Sequence, residues 1–432
     1  MQKTIWQQVS LPKFDSLHGD KQTDVLVIGG GMAGILCADR LRRHGVDVTL
    51  VEQHRLLSGV SGNTTAKITM QHGLIYHKLM QSLGKERAML YAHANQHAVE
   101  TYRTLCNDID CDFETQDAYV YSQTDRQKIE SEAGALHHLG IAAIVRDETD
   151  LPFPVAGAVM IRKQAQFHPV RFVAGILPGL TIYENTPVRT LDGTTAVTPQ
   201  GRIHAKHVIV ATHFPFLNRH GLYFLKLYQH RSYVLALQNA ANVHGMYIGA
   251  EENTLSFRNF GDTLLLGGGG HRTGKPGGAW QVLEKTAQEY YPTSQAIARW
   301  ATQDCMSLDA MPYIGPYSPK TPNIYVATGF CKWGMTGSMV ASEVLTQTIL
   351  GRPDPYDGLF SPARSILKPQ LVRNTLSAAT NLMRISKRRC PHMGCALRWN
   401  KAEHTWDCPC HGSRFSEDGK LLDNPATEDL PE

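Results

Sequence analysis

Cysteine and histidine crowd one stretch of this chain: Cys390-Pro391-His392-Met393-Gly394-Cys395, then Cys408-Pro409-Cys410-His411-Gly412-Ser413. A Cys-x-His and a Cys-x-x-His on two loops offer thiolate and imidazole together, the chemistry of a metal centre. The other five of the nine cysteines (Cys37, Cys106, Cys111, Cys305 and Cys331) are scattered and read as buried or indifferent thiols. Clustering of the remaining four favours metal over a structural disulfide framework. Two kinds of centre use such ligands. One is a tetrahedral zinc site; the other is an iron–sulfur centre in which two thiolates hold one iron and two imidazoles the other.

A second constellation lies near the N-terminus. Asp24-Val25-Leu26-Val27-Ile28 is a short apolar run that reads as a buried parallel strand. It leads into Gly29-Gly30-Gly31-Met32-Ala33-Gly34, then a helical stretch over 35–44 and a second strand over 46–51 that ends at Glu52. Gly29 permits a tight turn, Gly31 lets the backbone approach a pyrophosphate, and Gly34 allows close helix–strand packing. The helix start presents free N–H groups to the phosphates, and Glu52 faces the adenosine ribose. This fingerprint fits the ADP half of either FAD or NAD. Later strands over 207–212 and 323–329, the second followed by Gly334, Gly337 and a helix over 338–350, supply another positive helix end.

Residues 22–358 resemble the D-amino-acid oxidase/glycine oxidase family of FAD oxidoreductases. The likeness rests on the glycine fingerprint, Val51-Glu52, Ser58-Gly59-Val60-Ser61-Gly62-Asn63, the strand 208–212, Asp309-Ala310-Met311-Pro312-Tyr313-Ile314-Gly315 and the glycine turn 329–337. The resemblance implies an α/β, two-domain FAD-binding (Rossmann-like) oxidoreductase fold with an interleaved α+β substrate domain. FAD binding then falls to 1–80, 155–225 and 305–358, and the substrate domain to 81–154 and 226–304. It implies an enzyme that oxidises a C–N bond in an amine or amino acid. Gly29, Gly31, Met32, Ala33, Gly34, Glu52, Thr64, Thr65, Ala66, Lys67, Gly329, Lys332, Trp333, Gly334, Met335 and Thr336 become the cofactor-binding set. Lys67 and Arg258 are the candidate catalytic residues. Arg231 is a second candidate for pairing a substrate carboxylate, and His72 or His271 for moving a proton. Arg299-Trp300-Ala301-Thr302 holds no cysteine, and Cys305 is out of register, so FAD is expected to be non-covalent.

The C-terminal loops resemble Rieske proteins. By that resemblance Cys390, His392, Cys408 and His411 ligate a [2Fe–2S] cluster, Cys395 and Cys410 form a disulfide between the loops, and Ser413 donates to a bridging sulfide. Phe415 stands where high-potential members have tyrosine. The small β-rich Rieske segment over 390–432 lacks the strands that normally precede the first loop. It is too short for an independent core, so it is expected to pack on the flavoprotein body. A helical linker over 359–389 sets Leu371, Thr375, Ala378 and Leu382 on one stripe, with Val372, Leu376, Ala379 and Met383 beside it and Lys387, Arg388 and Arg389 after it; docking on the protein itself or on a partner is expected over contact with a membrane surface.

These sites need a scaffold, and 432 residues suffice for two or three domains. The formal charge of +4 is spread along the chain and gives no case for nucleic acid. No run approaches the roughly 20 apolar residues of a membrane span. The polar N-terminal stretch 1–20 carries no signal core, and the expectation is a cytoplasmic protein. The expected partners are a small-molecule amine or amino acid and an electron acceptor or donor whose identity the residues leave open. The alternative is a redox-sensing or electron-transfer flavo-iron–sulfur protein without such a substrate.

Overall fold

The computed structural model describes residues 4–217, 220–252 and 254–431. The first three residues of the polar N-terminal stretch and the last residue of the C-terminal segment lie outside the described residues. Three sheets make up the molecule. The first grows around Lys21–Ile28, whose Val25, Leu26 and Val27 are fully buried. Parallel partners are Gly201–Val210 on one side and Val48–Val51 on the other. Thr181–Tyr183 extends the latter edge, while Ile324–Thr328 and the antiparallel Tyr313–Pro316 extend the former. Helices Met32–Arg43 and Gly334–Ile349 pack against each other on this sheet.

The second sheet has nine strands. Gln295–Ser307, Leu227–Gln238, Thr263–Arg272 and Ser256–Phe260 run antiparallel in that order. Met246–Gly249, Glu114–Ser122, Gly157–Gln166 and Lys67–Ile68 continue it, and Ala143–Arg146 pairs off Gly157–Gln166. The chain thus passes repeatedly between the two sheets. Two strands depart from the expected division: Lys67–Ile68 and Gly157–Gln166 lie in this second sheet although 1–80 and 155–225 are expected with the first. The partners of Gly157–Gln166, Glu114–Ser122 and Ala143–Arg146, cover both of its edges, and pairing with distant segments decides its sheet.

The third sheet is small: Arg398–Asn400, Thr405–Asp407, Arg414–Ser416 and Leu421–Asp423, all antiparallel. Its apolar centre is little more than Leu397, Phe415, Ala426 and the cysteines Cys390, Cys395, Cys408 and Cys410. The linker helix Pro369–Met383 precedes it, started by a proline at its first turn. Its orientation reverses the expectation. Asn374 and Asn381 are buried, with Ala378 against the small core, while Val372, Leu376, Leu382 and Met383 face outward. Asn374 accepts from Arg272 and donates to the Leu225 carbonyl, and Asn381 accepts from Arg398 at its side chain and from the Ala396 N–H at its carbonyl, so hydrogen bonds hold the inner face.

The helices also begin earlier than their apolar runs imply. Met32 already starts the first, and Gly334 the last, so both glycine turns feed directly into a helix N-terminus. Gly34 sits where any Cβ would run into the Gly29 carbonyl. Gly34→Ala is expected to cost about 1–3 kcal/mol through overpacking, whereas Gly59→Ala, with open space around it, should cost under about 0.5 kcal/mol; urea unfolding of the two variants compares them directly.

Candidate functional site

Between the first two sheets and the tail runs one connected cavity of about 2470 Å³. Its inner end is the glycine fingerprint. Gly29 adopts φ 114°, and a Cβ there would lie 2.6 Å from the Ala211 carbonyl oxygen, so backbone alone can form this turn. Glu52 accepts from the Gly30 N–H at 2.7 Å and from the His54 N–H at 2.9 Å. Burial pushes its carboxyl up despite those two donors. The Met32 N–H at the helix start donates to Ser61 Oγ at 2.9 Å, placing an oxygen where a helix N-terminus favours one.

The loop that follows is clamped from outside. Trp6 Nε1 donates to the Thr64 carbonyl at 2.8 Å, and Trp300 Nε1 to the Asn63 carbonyl at 2.9 Å. Of the expected cofactor-binding residues, Gly29, Gly31, Met32, Ala33, Glu52, Thr64, Thr65, Lys67, Lys332, Trp333, Gly334 and Met335 line the cavity. Gly34, Ala66, Gly329 and Thr336 stand behind its wall. Thr336 Oγ1 is spent on His72 and on the Thr69 carbonyl. Lys67 opens onto the cavity, and burial, aided by the nearby Arg258 charge, lowers its ammonium to about 7.

Arg258 requires a correction. It is fully buried, donates to the Ala66 carbonyl at 3.0 Å and lies between the rings of Trp6 and Phe260. It is absent from the cavity wall and therefore supports the 64–67 loop from beneath instead of meeting a substrate. Arg231 does line the cavity, but its carboxylate partner comes from the chain's own tail, Glu403. His72 is enclosed by Tyr91, the Thr69 carbonyl and Trp333, and burial drops it to about 3; it is neutral packing. His271 lines the cavity and is joined to Tyr233 and to the Arg272 carbonyl.

The tail is docked by charge and by close backbone approach. Glu403 pairs with both Arg231 and Arg414, and Arg414 also reaches Asp407 and Asp423. Burial pushes Glu403 up, yet the two guanidinium charges outweigh it and hold the carboxyl below its usual range. Gly274 and Gly412 let the loops close: a Cβ on Gly274 would lie 2.6 Å from Pro409, and one on Gly412 would run into Gln229. Gln303 donates to the Gly412 carbonyl at 2.9 Å and Arg272 to that of Cys410 at 3.3 Å.

Within the tail, each loop folds back on itself through the Gly394 N–H to the Cys390 carbonyl and the Gly412 N–H to the Cys408 carbonyl. Cys395 and Cys410 are joined by a disulfide, and the Cys408 sulfur lies within 4.8 Å of both. The Cys390 thiol hydrogen-bonds to Cys408 and is lowered by it, with further help from Ser413 and the His392 and Met393 amides. The imidazoles of His392 and His411 stand 5.0 Å apart, nearly perpendicular. Burial keeps both neutral, at about 4 and about 3, the form that ligates metal. His411 Nδ1 is buried without a hydrogen-bond partner among the described residues. Two free thiols from two loops beside two neutral imidazoles from the same loops fit a [2Fe–2S] centre.

Two residues that sequence reasoning passed over join the sites. The turn after Gly201–Val210 puts Ala211, Thr212 and His213 on the cavity. The next ring, Phe214, lies 6.3 Å from the His392 ring and 6.2 Å from that of His411. Asn424 fixes this turn by donating to the Thr212 and Phe214 carbonyls at 2.7 and 2.9 Å. His213 and Phe214 follow the strand 207–212 immediately, so proximity to that motif was the available signal.

A dinucleotide cradle opening on a cavity between two sheets, with a thiolate–imidazole centre behind the 211–214 turn that borders it, defines a flavin-dependent oxidoreductase carrying an iron–sulfur module. The comparisons give the family. Residues 24–348 match the FAD dependent oxidoreductase family and residues 371–432 the Rieske [2Fe-2S] domain, and the chain belongs to that oxidoreductase family. Its cofactors are FAD and a [2Fe–2S] cluster. A relative from Bacillus subtilis (strain 168), named for a Rieske 2Fe-2S iron-sulfur protein, is 34% identical across 99% of this chain and 97% of its own. Gamma-glutamylputrescine oxidoreductase of Escherichia coli (strain K12) is 23% identical over 80% of this chain and 87% of its own. Glycine oxidase from Geobacillus kaustophilus shares the fold with a TM-score of 0.68 at 17% identity, covering 80% of this chain and all of that one. L-proline dehydrogenase from P. horikoshii does so with a TM-score of 0.67 at 16% identity, covering 80% and 98%. Among the described residues no helix is long and apolar enough to cross a membrane.

Glu403→Gln should leave buried Arg231 with no carboxylate nearer than Asp423 at 4.0 Å, while Arg414 keeps Asp407 and Asp423, and cost about 3 kcal/mol. The expected readout is earlier release of the tail, seen as faster proteolysis within 384–389 and a lower urea midpoint.

Proposed function

We propose that this enzyme oxidises a small amine or amino acid at its flavin and that the reducing equivalents leave one at a time by way of the C-terminal cluster. When bound, FAD accepts a hydride from the C–N carbon and the [2Fe–2S] centre carries single electrons. The observation that carries the reading is the turn 211–214, which borders the cavity on one side and touches both cluster-side imidazoles on the other. Cys390, His392, Cys408 and His411 would hold the cluster, with Ser413 beside the Cys390 sulfur. The fingerprint Gly29 to Gly34 and Glu52 would hold the ADP half of FAD.

Hydride transfer requires a neutral amine, and most free amines are protonated at pH 7. Lys67, lowered to about 7 and facing the cavity, supplies a base of matched strength. Below pH 7 its ammonium cannot take the proton; above, its free amine can. Tyr228, His230 and Trp280 extend the cavity beyond the cradle and shape the substrate chamber. The kinship with proteins named for glycine, proline and glutamylputrescine chemistry supports the amine class. The reading assumes a cytoplasmic setting, where burial of the Cys395–Cys410 bond shields it from thiols.

Anaerobic addition of amines and amino acids to the holoprotein tests the reading: flavin bleaching should be accompanied by a change in the cluster's EPR signal. A flavin that bleaches beside an unchanging cluster signal would refute the relay. For Lys67, kcat/KM in the wild type should rise through an ionisation near pH 7, and Lys67→Met should lose that inflection and fall by about 10²–10⁴-fold.

A further inference from the structure

We propose that the outward face of helix Pro369–Met383, with the basic turn that follows it, seats this protein on an anionic lipid bilayer. The inference stands apart from the reaction above and rests on where apolar and cationic side chains are displayed. Ten large apolar side chains are exposed among the described residues, and seven of them fall between Leu367 and Met393. Val372 is 60% exposed, Leu376 at the cavity rim 62%, Met383 78% and Ile385 96%. Val372, Leu376 and Met383 are spaced four and seven residues apart, so they lie on one helical face. The opposite face is the buried one, held by Asn374 and Asn381. A soluble helix normally turns its apolar stripe inward. This one turns it out.

Charge points the same way. From Asp357 to Glu403 the chain contains no acidic residue but nine arginines and lysines. Arg364 is consumed by Asp309 and Arg373 turns to the cavity; Arg384, Lys387, Arg388 and Arg389 are exposed. Basic side chains flanking a protruding apolar stripe are the pattern of an interfacial helix, whose apolar face enters the headgroup boundary while cations meet anionic lipid. Lipid tails flow around side chains that stand out singly, whereas a protein partner would need a pocket for each. Arg389 ties the helix end to the first cluster loop, donating to the Leu382 carbonyl at 3.2 Å and that of Gly394 at 2.6 Å. The lipid-facing edge and the cluster loop are therefore neighbours.

Flotation of the full-length holoprotein tests this with vesicles of about one-third phosphatidylglycerol in phosphatidylcholine, against phosphatidylcholine alone. Binding to the anionic vesicles should exceed that to neutral ones by about tenfold or more and should fall steeply when salt rises from about 0.05 to about 0.5 M. Met383→Glu with Ile385→Glu should reduce it by about tenfold or more, since the apolar area is lost, with flavin absorbance and circular dichroism unchanged. Lys387→Glu should weaken it several-fold and leave the protein folded. Holoprotein that ignores anionic vesicles at low salt, or that floats equally after the double substitution, overturns the proposal. So does a concentration-dependent dimer abolished by the same substitutions, which would assign the face to a second copy, or an acidic protein captured there while vesicles are ignored.

Discussion

A tail of some sixty residues with a sparse apolar centre has to borrow stability, and it does so through the buried pairing of Glu403 with Arg231 and Arg414. Burying an ion pair is seldom a net gain over apolar packing, so this one is better understood as a device of register. It fixes which strand of the body meets which strand of the tail. With Arg231 in place, Gly274 meets Pro409 and Gly412 meets Gln229, and the two imidazoles arrive against Phe214. The alignment of the two sites therefore depends on three side chains at the cavity's tail end, none of them in the glycine fingerprint or the cluster loops.

The same dependence explains the inverted linker helix. Its inner face bonds to the body through Asn374 and Arg272, and Arg272 in turn reaches the Cys410 carbonyl. Polar residues face inward because the surface they meet is itself polar and guanidinium-rich. The apolar stripe is left over, and its exposure follows from the docking and not from any weakness of the fold.

Much was legible in the sequence because its signals are local. The fingerprint Gly29 to Gly34 with Glu52, and the two loops 390–395 and 408–413, each declare their chemistry within a few residues, and the family relationship and cofactors follow from them. What the sequence hid depends on contacts between distant segments. Arg258 looked like a carboxylate ligand because type and placement are readable while burial under Ala66 is not. Arg231 looked free for substrate because Glu403 lies 172 residues away. Gly157–Gln166 was placed with the wrong sheet because both its partners had to be known first. The linker's inner face was misjudged because periodicity identifies an apolar stripe without saying which side the neighbour occupies.

The close fit at Gly274 and Gly412 has a mechanical corollary. A module strung on a loose tether must diffuse to its donor before it can be reduced, and solvent viscosity then governs the internal step. Here Gly274 closes on Pro409 and Gly412 on Gln229 along the second cluster loop, and Gln303 and Arg272 bond to that loop's carbonyls. The head has no arc to travel, so in the proposed relay friction with the medium would have no purchase on exchange between the two centres.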